Sequence, residues 1–335
     1  MSSPNTIVCF GEALIDFLAS TPAQSEAPTF RQFAGGAPAN AAVAVAKLGG
    51  RCEFVGMLGE DMFGNFLLQS LREAGVGTRY VRRTGNANTA LAFVSLDAQG
   101  ERSFSFYRPP AADLLFRPTD FDHGCFAEAT IFHACSNSLT DPGIAEATLS
   151  GMARARASNA LASLDLNLRP ALWPNATPVL PVLWQALEAA DLIKLAREEL
   201  EFLKEGRHDD DHVIERLLRS ARLVVITDGG APLRWHTRER SGELAACTVK
   251  VVDSTAAGDA FIGGLLSQLQ GHNIDARGFD GLLATPSALE QALRYASACG
   301  ALAVTRYGAF ASLPTHAETV SLLNQMQQPE HWSRP

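Results

Sequence analysis

The sequence predicts an α/β fold with a mostly parallel sheet and a small β-lid. Three observations predict it. Short apolar, β-branched runs alternate with longer segments of helical period along most of the chain, the pattern of repeated strand–helix units joined by right-handed crossovers. Two segments, roughly 13–33 and 89–112, break that alternation with strand-like residues interleaved with polar ones. The composition, 47% hydrophobic and 19% charged over 335 residues, is that of a globular protein with a large core.

The elements follow in order. Ile7–Gly11 reads as the first strand, and the first lid piece follows it. Pro38–Leu48 reads as a helix, because Pro38 suits a first turn and Gly49 an end. Its interior is nearly all Ala, Val and Leu, so it is expected to be buried. Cys52–Leu58 is a strand and Met62–Ala74 a helix. The second lid piece is a hairpin: Ala90–Leu96, a turn at Ala98-Gln99-Gly100, then Arg102–Tyr107. Strands are expected at Thr130–Ala134, Leu161–Leu166, Asp191–Leu195 and Leu223–Thr227. Helices are expected at Pro142–Ala157, Val179–Ala189, Arg197–Leu203 and Asp211–Ser220. A β-like run, Thr248–Val252, leads into a helix over Ala256–Gln270, and Ser287–Val304 forms the last helix. The polar tail after Leu323, ending Pro329–Pro335, is expected to be loosely held. No repeat or low-complexity tract divides the chain, and 1–335 is read as one domain with the lid inside it.

Several function classes are excluded. The net charge is −8 and no basic block accompanies it, so nucleic acid and anionic membrane are not expected partners. Glu12 and Asp16 interrupt the apolar stretch near the N-terminus, and no apolar run is long enough to span a bilayer. The six cysteines are scattered without C-x-x-C spacing and read as reduced core thiols of a cytoplasmic protein. No two of the eight histidines pair at i,i+3 or i,i+4 on a helix, which argues against zinc. His133, in an apolar strand, reads as a packed core residue. There is no G-x-x-x-x-G-K-[ST], and Gly11 is followed by Glu-Ala-Leu rather than a dinucleotide fingerprint.

Two motifs carry chemistry. Asp253-Ser254-Thr255-Ala256-Ala257-Gly258-Asp259 is a strand-to-helix turn of small residues. Its backbone N–H groups can converge on an anion at the positive end of the helix. A carboxylate inside such a turn suits a base that takes the proton of a hydroxyl attacking a phosphoryl group. An ordinary capped helix with Asp259 as a first-turn acid is the alternative. Ala34-Gly35-Gly36-Ala37-Pro38-Ala39-Asn40 opens the first helix. Its glycines let a ligand approach the main chain, and Asn40 offers a donor and an acceptor suited to sugar hydroxyls. The alternative is a glycine turn with an Asn satisfied inside the fold.

Together these motifs resemble the two signatures of the ribokinase-like (PfkB) family of sugar kinases, and the resemblance covers about Ile7 to Pro314. Gly11–Phe17, Phe106-Tyr107-Arg108, Asp165–Trp173 and Ala190–Lys194 are similar to fructokinases in particular. The resemblance implies a three-layer α/β/α core with a β-lid and ATP-dependent phosphorylation of the 6-hydroxyl of D-fructose. By position, Asp259 is then the catalytic base. Ala256, Ala257 and Gly258 are the anion hole, and Arg169 braces the phosphate. Asp16, Gly35, Gly36, Asn40, Arg108, Asn167 and Phe106 fall to the sugar. Lys194, Thr227, Gly229, Gly230 and Ser297 fall to the nucleotide.

Mg²⁺ is implied between the nucleotide phosphates, with Glu199 orienting its water. Ala196 stands where the family's N-x-x-E element has Asn. A monovalent K⁺ site is implied at Asp253, Thr255, Ala303, Arg306, Gly308 and Ser312. Ala256 replaces a frequent Gly and is expected to avoid positive φ. The competing acceptors are a 2-keto-3-deoxy sugar acid, which Arg108 would bind, ribose, or a nucleoside, for which Phe104 or Phe106 would be a platform. A catalytically silent sugar-binding regulator is the rival of another class. A homodimer through the lids is expected, since the outer face of the lid needs cover.

Overall fold

A computed structural model describes residues 5–19, 29–96, 102–174, 178–207 and 209–327. The first half contains β1 (Thr6–Phe10), β2 (Leu14–Ala19), β3 (Phe30–Gly35), α1 (Ala37–Lys47), β4 (Cys52–Gly59), α2 (Met62–Glu73), β5 (Val81–Thr84), β6 (Leu91–Leu96) and β7 (Arg102–Tyr107). There follow α3 (His123–Ala127), β8 (Ala129–Cys135), α4 (Pro142–Ala157) and β9 (Leu161–Asp165). The second half contains α5 (Val179–Glu188), β10 (Leu192–Ala196), α6 (Arg197–Leu203), α7 (Asp210–Leu218), β11 (Leu223–Thr227), β12 (Leu233–His236) and β13 (Ser241–Leu244). The chain closes with α8 (Ala257–Gly271), α9 (Phe279–Leu283), α10 (Pro286–Ala303) and α11 (His316–Gln327).

Among the described residues, nine strands form one sheet in the order β13-β12-β11-β10-β9-β8-β1-β4-β5. Neighbours from β11 to β5 are parallel, and β12 and β13 extend one edge antiparallel. Both faces are buried, as an all-parallel region requires. Side chains of β1 alternate between them: Ile7 and Cys9 join Val43, Leu265 and Leu293 on the face covered by α1, α8 and α10. Val8 and Phe10 join Phe116, Phe121 and Phe132 on the other. Phe10 and Phe121 meet with ring centroids 4.9 Å apart. β1 has β8 on one side and β4 on the other, so the strand order reverses there. The crevice beyond the C-terminal ends of β1 and β8 is where such sheets bind ligands.

The remaining strands form a second sheet in the order β3-β2-β6-β7. β2–β3 and β6–β7 are antiparallel, while β2 and β6 run parallel. One face carries Asp16, Leu18, Phe33, Val94 and Phe106 toward a cavity above the large sheet. The other carries an aromatic chain in which Phe93 touches Phe17, Phe30 and Tyr107. Phe30 and Tyr107 are exposed. No helix among the described residues is long and apolar enough to cross a membrane.

The six strands and eight helices read from the core pattern are present, with ends shifted by a residue or two. β5, β12 and β13 are four residues each, too short to carry a period. The helices α3, α9 and α11 were also not anticipated. Thr248–Val252 is not a strand. It has no neighbouring strand to pair with, and the Val252 and Asp253 N–H groups both donate to the Val304 carbonyl instead. The tail does not loosen at Leu323, because α11 continues to Gln327. The hairpin turn at Ala98–Gly100, the side chain of Phe104, positions 20–28 of the lid and the segment Pro329–Pro335 lie outside the described residues.

Candidate active site

Two cavities, of about 530 and 500 Å³, open beyond the C-terminal ends of the strands and meet. Glu12, Asp16, Gly36, Asn40, Phe106 and Asn137 line the first. Lys194, Glu199, Thr227, Gly229, Gly230 and Ser297 line the second. Asn167, Arg169, Val251, Ser254, Ala256 and Asp259 line both.

The junction is the N-terminus of α8. No side chain caps this helix, its first N–H groups have no intrahelical acceptor, and that of Ala257 reaches only the Ser254 carbonyl at 3.4 Å; Ala257 and Gly258 line the second cavity. Ala256 does not avoid positive φ: it sits at φ 59, ψ 11 in the left-handed region. That geometry turns the irregular segment 248–255 into the helix. It costs an alanine about 1–2 kcal/mol, a strain of the kind found where function fixes the backbone. Gly258 has a different reason. A Cβ there would lie 2.8 Å from Lys194 Nζ.

Asp259 is buried, and its Oδ2 accepts a 2.7 Å hydrogen bond from Asn40 Nδ2. Burial raises its carboxyl above the ordinary aspartate value, against the Asn40 hydrogen bond and the charges of Arg169 and Lys194. Asn40 comes from the first turn of α1, whose entry needs both glycines. Gly36 has φ 103, and a Cβ there would meet the Glu12 carbonyl at 2.6 Å; a Cβ on Gly35 would meet Asp16 Oδ2 at 2.1 Å. Gly35 therefore makes room for Asp16 in the first cavity, and Gly36 for the Glu12–Ala13 main chain.

Along the second cavity, Lys194 is buried in an ion pair with Asp165, with contacts of 3.0 and 3.1 Å. Burial disfavours the ammonium, but Asp165 and Glu199 outweigh it and hold the Lys194 pKa above its usual value. It is thus a fixed positive charge beneath the α8 turn. Glu199 uses both oxygens on backbone donors, Leu168 N–H at 2.6 Å and Ala196 N–H at 2.7 Å. It clamps the β9 and β10 exits together. His133 is a core residue: burial and the Lys194 charge push it down to about 3, and its Nδ1 lies 3.0 Å from Ser163 Oγ.

Arg108 does not reach either cavity. It is 2% exposed, and its Nε and Nη2 both donate to Asp113 Oδ2, at 2.8 and 2.6 Å. Its Nη1 donates to the Asn137 carbonyl at 2.7 Å. A partner five residues along the chain folds the guanidinium inward instead of over a ligand. Asp253 ties the turn before α8 to the segment after α10, accepting from Thr255 N–H at 2.7 Å and Gly308 N–H at 3.2 Å. Ser312 is fully buried nearby and donates to the Ala309 carbonyl. The Arg306 side chain pairs with Glu318, and Ala303 ends α10, where carbonyls lack helical partners.

Three residues of this region escaped the sequence reading. Asp165 ends β9, and Asn137 follows β8, both places where strand-end logic would have found them. Glu12 follows β1, lines the first cavity and is fully buried, with burial raising its carboxyl above the ordinary glutamate value.

A three-layer α/β/α core bearing a small lid, with a buried carboxylate at an uncapped helix start between two cavities, defines a phosphotransferase acting on a small hydroxylated acceptor. The family model "pfkB family carbohydrate kinase" matches residues 4–316, and the chain belongs to that family. It is 41% identical over 92% of its length to a probable chloroplastic fructokinase-6 of Arabidopsis thaliana, of which it covers 80%. Among solved structures it resembles a fructokinase with bound ATP from Xylella fastidiosa, with TM-score 0.93 and 52% identity, covering 97% of this chain and all of that one. A fructokinase double mutant from Vibrio cholerae, in a form with fructose, ADP and potassium, aligns with TM-score 0.84 and 30% identity over 96% and 99% of the two chains.

The turn geometry makes a paired prediction. Ala256→Gly relieves the left-handed strain and leaves stability unchanged or raises it by up to about 1 kcal/mol, whereas Gly258→Ala displaces the Lys194 ammonium and lowers turnover at least tenfold. Thermal melts and steady-state rates check both; a destabilised Ala256→Gly or a fully active Gly258→Ala contradicts the assignment.

Proposed function

We propose that the chain is an ATP-dependent fructokinase that transfers the γ-phosphoryl group to the 6-hydroxyl of D-fructose. The observation that carries this reading is the position of Asp259, shared by both cavities, at the uncapped start of α8. The relatives named above are fructokinases, and the solved ones bind ATP, or fructose with ADP. In this reading the sugar occupies the first cavity, held by Asp16, Asn40, Asn167, Phe106 and the Gly35-Gly36 main chain. ATP occupies the second, against Thr227, Gly229, Gly230 and Ser297. Asp259 Oδ takes the proton of the 6-hydroxyl as that oxygen attacks phosphorus, and the bond to the ADP oxygen breaks. Asn40 fixes the rotation of the carboxylate. The N–H groups at Ala256–Gly258, with Lys194 and Arg169, stabilise the charge on the phosphoryl group in transit. The lid sheet covers the sugar and keeps water from competing as acceptor.

The donors present fit Mg²⁺ carried on the nucleotide phosphates. Asp165 is committed to Lys194, both Glu199 oxygens hold backbone N–H groups, and no group of three or more His, Cys, Asp or Glu residues that could hold a metal occurs among the described residues. Glu199 would touch the metal's water shell, and bound Mg²⁺ would neutralise phosphate charge. For K⁺, the oxygen-rich segments 253–255 and 303–312, joined through Asp253, fit a monovalent cation that would stiffen the α8 turn. The sugar-acid alternative loses its intended cation, because Arg108 is spent on Asp113. The six thiols are free, in keeping with the cytoplasm as the compartment. The aromatic outer face of the lid, with Phe30 and Tyr107 exposed, suits a homodimer through the lids. Sedimentation at micromolar concentration is expected to give a dimer, and a monomer alone rejects that arrangement.

Asp259→Asn is expected to lower kcat by on the order of 10²–10⁴ in a coupled assay with ATP and fructose; near-full turnover overturns the reading. The base must be ionised, so kcat/KM falls as pH drops through its pKa. Burial raises that pKa, which places the acid limb above the ordinary aspartate value of about 3.9. The sign for stability is opposite. The fold favours the protonated form, so the stability tied to this group is full below the unfolded pKa and lost as pH rises through the folded one. Asp259→Asn removes that loss and raises the Tm at neutral pH.

A further inference from the structure

Asn137 stands just past β8, 6% exposed, on the wall of the first cavity. It is fixed twice. Its main-chain carbonyl accepts from Arg108 Nη1 at 2.7 Å, and its Nδ2 donates to Glu12 Oε1 at 2.9 Å. Glu12 Oε1 also accepts from the Ala37 N–H at 3.2 Å. Both contacts place a donor on that oxygen, and the Asn137 amide presents its NH₂ there. The Oδ1 is thereby left on the other side of the amide. It is buried and has no hydrogen-bond partner among the described residues. Buried acceptors without a donor are rare in folded proteins, because their lost hydration goes uncompensated.

Asn40 repeats the arrangement across the same cavity. Its Nδ2 is committed to Asp259 Oδ2, and its Oδ1 is buried and without a partner among the described residues. Each amide is oriented by a carboxylate, and each is left with one acceptor to offer. Asp16 adds a further carboxylate to this wall. A cavity so rich in acceptors matches a ligand that donates hydrogen bonds from several hydroxyls.

We infer that Asn137, oriented by Glu12 and anchored by Arg108, determines acceptor specificity: its Oδ1 accepts a hydrogen bond from a secondary hydroxyl of the sugar ring, and sugars lacking that hydroxyl are rejected. This rests on the first cavity being the sugar site. Glu12 and Arg108 are positioning residues, acting through Asn137. A site built to pair with a hydroxyl discriminates strongly against the deoxy analogue, because the analogue leaves the buried acceptor unpaired.

The test is a cycle between enzyme and substrate. Wild-type protein and Asn137→Leu, of similar volume, are assayed with ATP against fructose and its 3-deoxy and 4-deoxy analogues. For the wild type, kcat/KM is expected to fall for one analogue by on the order of 10²–10⁴. For Asn137→Leu, fructose falls by a comparable factor, mainly through KM, and discrimination against that analogue shrinks to within about threefold. Glu12 supplies the second pair of variants. Glu12→Gln keeps an acceptor oxygen for Ala37 and Asn137 and retains the discrimination, while Glu12→Ala releases the amide and loses it. Wild-type turnover of fructose without discrimination against either analogue, discrimination that survives in Asn137→Leu, or equal behaviour of the two Glu12 variants, overturns the inference alone. Absence of wild-type fructose turnover overturns the fructokinase reading and the inference with it.

Discussion

The site depends on how closely α1 and α8 approach each other. Both helices begin at the ligand end of the sheet, and the hydrogen bond from Asn40 to Asp259 joins their first turns. That bond forms only if the two backbones nearly touch. Gly263 of α8 provides the approach: a Cβ there would lie 2.5 Å from Ala44 Cβ and 3.0 Å from the Ala41 carbonyl. On its other side α8 presents Gly264 to α10, where a Cβ would meet Cys299 Sγ at 2.9 Å. The helix carrying Asp259 is therefore wedged between two others by consecutive glycines. A larger residue at either position would move Asp259 away from the junction of the two cavities, and in the proposed reaction small displacements of this kind are expensive for catalysis.

The same closeness explains the electrostatics. Asp259 is buried deeply enough for desolvation to raise its pKa, yet it sits at a positive helix end with Lys194 and Arg169 as nearby charges. These opposing influences suit a group that is ionised before reaction and accepts a proton during it. Lys194 could not stay charged so deep in the protein without Asp165, and Asp165 would be an unpaired buried carboxylate without Lys194. Glu199 fixes the two strand exits that carry this pair. Asp165, Lys194 and Glu199 thus form one braced unit beneath the α8 turn.

Much of this was legible in the sequence because small residues advertise it. The Gly35-Gly36 pair and the Ala256–Gly258 turn mark places where backbone must approach backbone or ligand, and Asp259 and Asn40 are the polar residues next to them. The alternation of strand and helix patterns located the parallel core. What failed depended on partners the sequence does not place. Arg108 looked like a ligand contact because it follows the lid hairpin, yet Asp113 draws it into the core. Ala256 was expected to avoid the left-handed region, because the strain that the turn imposes on an alanine is invisible without the fold. Thr248–Val252 has strand composition but finds no strand to pair with. Asn137 and Glu12 were missed because each reads as an ordinary polar residue after a strand, and only the orientation of one amide against the other carboxylate reveals a shared purpose.

In the proposed reaction, Asp259 and the α8 turn face its two halves across the junction of the cavities. A crystal structure with fructose and a non-hydrolysable ATP analogue tests it most directly. The sugar 6-hydroxyl is expected about 2.6–3.2 Å from an Asp259 carboxylate oxygen, with a terminal phosphate oxygen against the N–H groups of Ala257 and Gly258. A ternary complex in which the 6-hydroxyl points away from Asp259, or the phosphates bypass the start of α8, would contradict it.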